Sequence, residues 1–240
     1  MPNWVKNSIS FEGSDEKINE MLNSIQSIDS NGEISYIDFE KIIPMPESLK
    51  IDSGSSTDNG IALVKYLAGD DSLLKEMLSY SWVKNCNITT TKQLFEKFEL
   101  KDNFNSLIES GKNAIFNLEN FGYTDWYSWS CDNWGTKWNA SSSYLHDNNI
   151  LEFETAWSNP YPVLLELSGK FPDIKFIVEY ADEDIGSNCG RYVLQGGTQL
   201  EFDEYDGIKA CEIWGYDPAE FYPDIFRDQQ IDKILGDKEE

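Results

Sequence analysis

The chain has 240 residues, 40% hydrophobic and 14% aromatic, so it can bury a sizeable core, and this composition argues against a disordered protein. Its 43 Asp and Glu outnumber its 19 Lys and Arg, giving a net charge of −24. The chain also has no run of basic residues. Because contacts to phosphates need clustered Lys and Arg, both features argue against direct binding of DNA or RNA.

Cysteine usage and hydropathy predict a protein of the host cytoplasm. The four cysteines show no CxxC spacing, which argues against a zinc site or a secreted disulfide framework (Cys86, Cys131, Cys189 and Cys211). The start "MPNWVKNSIS" lacks a signal-peptide pattern, and no apolar run is long enough to span a membrane. We therefore expect no membrane association, no cofactor and no metal.

The first 60 residues predict a strand, a helix and a second strand. Apolar residues alternate over 4–13, which indicates a strand. Residues 14–28 open with a Ser N-cap and carry an apolar stripe at helical spacing. Residues 33–44 alternate again, and the Gly- and Pro-rich stretch 44–60 predicts a loop.

The rest of the chain predicts a helical segment followed by a second strand–helix–strand unit. Residues 60–117 have helical periodicity and predict about four helices. After an intervening Trp-rich segment, strands are predicted at 149–158 and 174–184, with a short helix at 159–173 between them. Further strands, or a hairpin, are expected at 190–197 and 208–216, and the tail after residue 216 is expected to be mostly helical.

Without the helical segment, the order is β-α-β followed by β-α-β, which is typical of an α+β ferredoxin-like fold. We therefore predict a ferredoxin-like core, with an antiparallel sheet and two helices, from residues 1–50 and 118–198. Residues 51–117 would form a helical insertion, and residues 199–240 an acidic, aromatic C-terminal extension. The name describes topology only and implies no iron–sulfur cluster.

Four motifs occur in an order that resembles a known family. They are "MPNW" with Asn7, "IIPMP" at 42–46, "WYSWSCDNWGTKWNA" at 126–140 and "FETAWSNPYP" at 153–162. With these motifs the chain resembles the YubB ferredoxin-like family, also described as DUF1281, over roughly 1–46 and 120–196. The resemblance implies the ferredoxin-like fold and an origin in a phage, prophage or plasmid, but no defined activity.

The Trp-rich segment 126–140 is a candidate binding site, and we predict that it forms a loop because Gly135 and Thr136 disfavour a helix. One interpretation is an aromatic platform for a nucleobase, a small ligand or a partner side chain, oriented by polar residues. The alternative is structural, with the rings closing the core against the inserted helices. The residues concerned are Trp126, Trp129, Asn133, Trp134, Lys137 and Trp138.

Catalytic and metal-binding patterns are weak. His146 lies in a polar stretch predicted to be a solvated loop, and it is the chain's one histidine. Asp182, Glu183 and Asp184 could supply oxygen ligands to a cation, but acidic triplets also arise by chance in so acidic a chain. We expect no catalytic residues, although enzymatic activity stays open.

The C-terminal 40 residues interleave thirteen acidic residues with aromatic ones, against four Lys and Arg. Such a pattern suits a protein-binding surface, since aromatic residues anchor and acids steer a basic partner. The alternative is a solvated helical tail. The proposed surface contains Glu201, Asp203, Glu204, Tyr205, Asp206, Trp214 and Tyr216.

These observations favour a non-enzymatic, acidic binding protein of a phage or mobile element. Its expected partner is a host protein with a basic surface, which would make counter-defence a candidate role. The rival interpretation is a small-ligand or nucleotide-binding module that uses the Trp-rich segment, and a third is an assembly protein whose aromatic residues are all internal.

Overall fold

The structure, a computed structural model, describes residues 2–28, 31–147 and 149–223. The chain divides into a sheet unit, Met1–Pro44 with Ser130–Glu240, and a helical unit, Met45–Trp129. The first part of the sheet unit contains β1 (Trp4–Glu12), α1 (Asp15–Ile25), β2 (Ser27–Ile28), β3 (Ile34–Ser35) and α2 (Phe39–Ile42). The helical unit contains a 3-10 turn (Glu47–Leu49), α3 (Ser55–Leu67), α4 (Ser72–Met77), α5 (Ser81–Asn85), α6 (Thr91–Glu99) and α7 (Phe104–Phe121).

Helix α8 (Trp126–Asn133) starts in the helical unit and ends in the sheet unit. It is followed by β4 (Ser141–His146), β5 (Ile150–Ala156), α9 (Tyr161–Lys170), β6 (Lys175–Asp182), β7 (Cys189–Gln195), β8 (Thr198–Glu204), α10 (Gly207–Trp214) and α11 (Pro218–Phe221). In the described residues, no helix has the length and apolar character that crossing a membrane requires.

The six-stranded sheet has the order β4-β5-β1-β6-β7-β8, with every neighbouring pair antiparallel. Strands β5 and β6, joined by α9, are therefore parallel, with β1 between them. Strands β1 and β4 are likewise parallel, with β5 between them. These two split βαβ units are the ferredoxin-like arrangement, so the predicted fold is confirmed. Strands β7 and β8 extend the sheet beyond this core.

One of the four core strands, the second in chain order, comes from a different part of the chain than predicted. Residues 33–44 form only the short β3 and, from Phe39, the helix α2, whose N-cap is Asp38. The core position is filled by β4, which was predicted to be a polar loop around His146. Its residues alternate between partly buried and exposed at the edge of the sheet, so the polar composition reflects an edge strand.

One face of the central strand forms the core of the sheet unit. In β1, Val5, Asn7, Ile9 and Phe11 are buried, and the intervening residues are half-buried. The buried stripe of α1 and the buried residues of α9 supply the apolar helix surfaces. The predicted N-cap is also present, because Ser14 Oγ accepts a hydrogen bond from the Lys17 amide.

One further prediction of local structure was wrong, and another lies partly outside the described residues. The segment predicted as a strand at 208–216 is helix α10, which begins after the N-cap Asp206 and ends at Gly215 with φ +76°. In the tail, the described part contains α11, and the predicted helix over 224–240 lies outside the described residues.

In the helical unit, α3 and α7 pack at a glycine contact. A Cβ atom on Gly60 would collide with the α7 backbone at Leu107 and Gly111, and one on Gly111 would collide with the α3 backbone at Gly60. The unit has its own apolar core, which includes Leu63, Leu74 and Phe98. The close approach of the two helices therefore depends on the absence of two side chains.

Candidate functional site

The Trp-rich segment begins as a helix, so the prediction of a loop over 126–133 was wrong. Asp125 Oδ1 accepts a hydrogen bond from the Tyr127 amide at 3.0 Å, which stabilises the first turn of α8. Turns and bends follow, and Gly135 adopts φ +76° in the left-handed region. The features that disfavour helix, Gly135 and Thr136, act only after α8 has ended.

The tryptophan rings of this segment occupy different environments. Trp129 and Trp134 are buried, while Trp126 is half-buried and Trp138 is exposed. In the sheet unit, Trp134 donates from Nε1 to the Ile43 carbonyl at 2.9 Å and packs edge-on against Phe39. Trp126 and Trp129 belong to the helical unit, and the other four candidate residues to the sheet unit. Asn133, half-buried, is the last residue of α8.

Lys137 lies between two indole rings. Its Nζ is 4.6 Å from the ring centre of Trp138 and 4.6 Å from that of Trp157. Trp4 packs against Trp138, with the two ring centroids 6.1 Å apart. Trp157 holds its position with φ +72°, an uncommon conformation for a bulky residue. The lysine is therefore held by cation–π contacts within the protein itself.

A buried polar network connects β1 to the start of α9 and to β7. Asn7 donates from Nδ2 to Thr155 Oγ1 at 2.9 Å, and its Oδ1 accepts from Asn159 Nδ2 at 2.8 Å. Asn159 Oδ1 in turn accepts a hydrogen bond from the Tyr192 hydroxyl. Burial raises the pKa of Tyr192 well above its usual value, so this hydroxyl remains a donor.

Strand β8 carries much of the proposed partner surface. Glu201 and Asp203 both pair with Arg191 on the neighbouring strand, at 2.9 and 3.2 Å. Tyr205 donates its hydroxyl to Glu179 at 2.6 Å. Burial, followed by the carboxylate of Glu179, raises the pKa of Tyr205. These three contacts fix side chains of β8 and of the residue that follows it.

Helix α10 and the residues after it carry a column of aromatic rings. Trp214 donates from Nε1 to the carbonyl oxygens of Ala181 and Asp182, each at 3.0 Å. Tyr216 stacks on Trp214, with planes 11° apart, and Phe221 stacks on Tyr216, with planes 17° apart. Tyr216 and Phe221 are exposed, so this column presents aromatic surface to solvent.

A groove runs along the other face of β8 and is named here the acidic groove. It consists of a cavity of about 570 Å³ and an adjoining one of about 210 Å³. Both are lined by Tyr180, Asn188 and Phe202, while Glu204 and Asp206 line the larger one. Tyr192 and Asn159 both line the smaller cavity, so two members of the polar network form part of the groove wall.

The stretch of chain that contains most of this groove is rich in carboxylates. Residues 179–223 contain eleven Asp and Glu against two Lys and Arg. Both cations are already paired, Arg191 as described and Lys209 with Glu212 at 2.6 Å. The helical unit, by contrast, contains twelve acidic and eight basic residues. An approaching cation would therefore be attracted mainly to the sheet unit.

The carboxylates of the groove differ in how they are engaged. Asp206 is the N-cap of α10, where its Oδ1 accepts from the Lys209 amide at 3.0 Å. Glu204 forms neither an ion pair nor a side-chain hydrogen bond with a described residue. Glu204 is thus the carboxylate of the groove that a ligand can contact without breaking a contact to the described chain.

The acidic triplet at 182–184 has local structural contacts. Asp182 Oδ1 accepts from the Asp184 amide at 2.9 Å, and Glu183 Oε1 accepts from the Trp4 amide at 3.1 Å. Over the described ranges, no three His, Cys, Asp or Glu side chains come together as a metal site would require. His146 faces Glu152, at 3.4 Å between Nε2 and Oε2.

Comparison with known proteins finds a family model that matches the part of the chain containing the groove. Residues 133–221 match the family model DUF1281_C, described as the ferredoxin-like domain in Api92-like protein. Over these residues the chain is similar to that ferredoxin-like domain. The family resemblance of the sequence motifs is thereby confirmed, and the acidic groove lies within the matched residues of this domain.

A solved structure gives a weaker comparison. The crystal structure of the protein api92 from Yersinia pseudotuberculosis aligns with 85% of this chain and 98% of its own, at 12% identity and a TM-score of 0.35. At that level of similarity it carries no argument about function. No curated protein matches the chain.

Several residues of the acidic groove were missed in the sequence. Asn159, Tyr180 and Tyr192 were not singled out, because each occurs in an apolar strand or before a helix, where a structural role is the ordinary expectation. Phe202 was noted only as part of the aromatic and acidic tail. The alternation of β8 was the available signal, since it places Phe202 and Glu204 on one face and Glu201 and Asp203 on the other.

Proposed function

We propose that this chain is a protein-binding module whose acidic groove binds a basic, arginine-containing segment of another protein. The observation that carries the proposal is the combination of exposed Phe202 with unengaged Glu204 in one groove. An aromatic face and a carboxylate together suit a guanidinium group, which stacks on rings and pairs with acids. The surrounding negative charge would accelerate the encounter with a basic partner.

The nature of the partner follows from charge and from family context. A basic surface is the complement of residues 179–223, in which acids outnumber bases by eleven to two. The sequence motifs resemble a protein family found in mobile elements. We therefore propose a host protein as the partner and counter-defence as the biological role. Binding would act by occupying the partner's basic surface, with no chemical step.

A fluorescent peptide of Arg–Ser repeats tests this function by anisotropy. The native protein is expected to bind it, and the double variant Phe202→Ser/Glu204→Gln is expected to bind about tenfold more weakly, a loss of about 1.4 kcal/mol. The matched control is Phe121→Ser/Glu119→Gln, which removes one exposed ring and one exposed carboxylate from the helical unit. Equal weakening in both double variants would mean that only overall charge matters, and would refute the groove.

The second candidate function is recognition of a small planar ligand such as a nucleotide. The exposed rings of Trp138 and Trp157 on either side of Lys137 support it, because indole faces stack on nucleobases and the ammonium group can approach an anion. Nucleotides would then quench tryptophan fluorescence in the native protein, and Lys137→Ala would abolish the quenching. The absence of quenching by purine and pyrimidine nucleotides alike would eliminate this candidate.

A further inference from the structure

The helical unit contains a cavity of about 600 Å³ that opens onto its apolar core. Its floor is formed by Ala62, Met77 and Phe98, three buried residues of that core. They come from α3, α4 and α6, so the cavity is built by three separate helices. A cavity of this size with an apolar floor is typical of a small-molecule site.

The rim of this cavity is aromatic. Tyr80 and Trp82 line it with 42% and 40% of their surface exposed. Trp82 packs edge-on against Phe98, with ring centres 6.1 Å apart and planes at 83°. Aromatic faces attract cations, and the cavity already contains one example, since Lys101 Nζ lies 4.6 Å from the ring centre of Phe98.

Charged groups at the cavity lack partners of opposite sign. Asp58 and Glu76 line it, and neither carboxylate forms an ion pair with a described residue. Lys101 likewise forms no ion pair there and is engaged by the ring of Phe98. Two carboxylates above an apolar floor and beside two exposed rings therefore favour a ligand with an apolar body and a positive head.

We propose that this cavity of the helical unit binds small organic cations with an aliphatic or aromatic body, the body on Ala62, Met77 and Phe98 and the head group toward Asp58 and Glu76. The site does not depend on the acidic groove, because all its lining residues belong to Met45–Trp129. Binding of a basic protein at the acidic groove and binding of an organic amine in this cavity can therefore be tested independently, and either proposal can be refuted without the other.

Three probes with the same alkyl chain test the proposal. Hexylammonium, hexanol and hexanoate are titrated into the full-length protein, and the shift of the Trp82 indole N–H resonance is followed by NMR. Hexylammonium is expected to bind at least about fivefold more tightly than hexanol, and hexanoate more weakly than either. Equal affinity for hexylammonium and hexanoate would overturn the proposal.

Two kinds of variant separate this site from general attraction of cations to an acidic protein. Glu76→Gln is expected to lower the affinity for hexylammonium by about threefold without changing that for hexanol, while Glu119→Gln, outside the cavity, should change neither. Ala62→Leu should fill the floor and abolish the response of Trp82 to both ligands. If it unfolds the unit, as judged by circular dichroism, Met77→Phe takes its place. An unchanged response in a folded floor variant, or equal effects of Glu76→Gln and Glu119→Gln, would refute the site.

Discussion

Tyr192 lies directly opposite Phe202 across the β7–β8 ladder, and its hydroxyl donates a hydrogen bond to Asn159, which also lines the acidic groove. The exposed ring that would meet a partner is therefore next to a buried tyrosine on the same face of the sheet, and that tyrosine is fixed by a polar network reaching Asn7 in the central strand. A network whose members are all hydrogen-bonded rigidifies the region around it. The groove is thus a preformed surface, which lowers the entropic cost of binding.

The buried network gives the first prediction. Tyr192→Phe removes the donor to the partly buried Asn159 oxygen, so the free energy of unfolding should fall by about 0.5–1.5 kcal/mol, the usual net worth of one hydrogen bond. Urea denaturation followed by circular dichroism measures this loss. Tyr144→Phe is the control, since Tyr144 is 60% exposed on β4 and should unfold like the native protein. A Tyr192→Phe variant as stable as native would show that the network adds nothing.

Alkaline pH should destabilise the sheet unit through two tyrosines. Burial raises the pKa of Tyr192 and of Tyr205 in the folded protein, so the folded state favours their neutral forms. Their contribution to stability is complete below the ordinary tyrosine pKa of about 10 and is lost as pH rises above it toward the folded values. Urea midpoints measured from pH 8 to pH 11 should fall less steeply for Tyr205→Phe than for the native protein. If the urea midpoints of the two proteins fall equally with pH, the raised pKa of Tyr205 is contradicted.

The lysine between two indole rings gives a third prediction. Lys137→Met keeps the apolar stem but removes the charge facing Trp138 and Trp157, and should lower the free energy of unfolding by about 1 kcal/mol. Lys137→Arg should stay within about 0.5 kcal/mol of native, because a guanidinium also stacks on indole. The control Lys92→Met removes an exposed helical charge. If Lys137→Met and Lys92→Met have the same free energy of unfolding, the cation–π contacts do not stabilise the protein.

The glycine contact between α3 and α7 predicts an inverted helix-propensity effect. Alanine normally stabilises an exposed helix relative to glycine by about 1 kcal/mol. At Gly111 the added methyl would collide with the α3 backbone, so Gly111→Ala should destabilise the helical unit by about 1–3 kcal/mol. Asn113→Ala, at an exposed position of the same helix, should be neutral or slightly stabilising. A stabilised Gly111→Ala protein would mean that the two helices do not approach at this point.

The successes and failures of sequence interpretation have physical reasons. The helical stripe of α1 and the alternation of β1 and β6 could be predicted, because these elements bury one face against a core. Strand β4 could not, because an edge strand of "SSSYLH" has little to bury and has the composition of a loop. Helix α10 was mistaken for a strand because of its β-branched and apolar residues, although Asp206 before it and Gly215 after it are ordinary helix boundary signals.

The candidate site could be predicted only in outline. The acid-rich and aromatic composition of residues 201–216 indicated a binding surface, but not which carboxylates are engaged within the protein. Arg191, far less conspicuous in the sequence, pairs with Glu201 and Asp203, and Asp206 caps a helix. Glu204 and Phe202 are thereby distinguished from their neighbours by contacts made across the sheet, which no linear pattern reveals.

The most direct measurement is a map of backbone amide shifts as an Arg–Ser repeat peptide is titrated into the ¹⁵N-labelled protein. We expect the largest shifts at the residues lining the acidic groove, above all Tyr180, Asn188, Phe202 and Glu204, and small shifts throughout Met45–Trp129. Shifts spread evenly over acidic residues of both units, or centred in the helical unit, would contradict the proposed binding site.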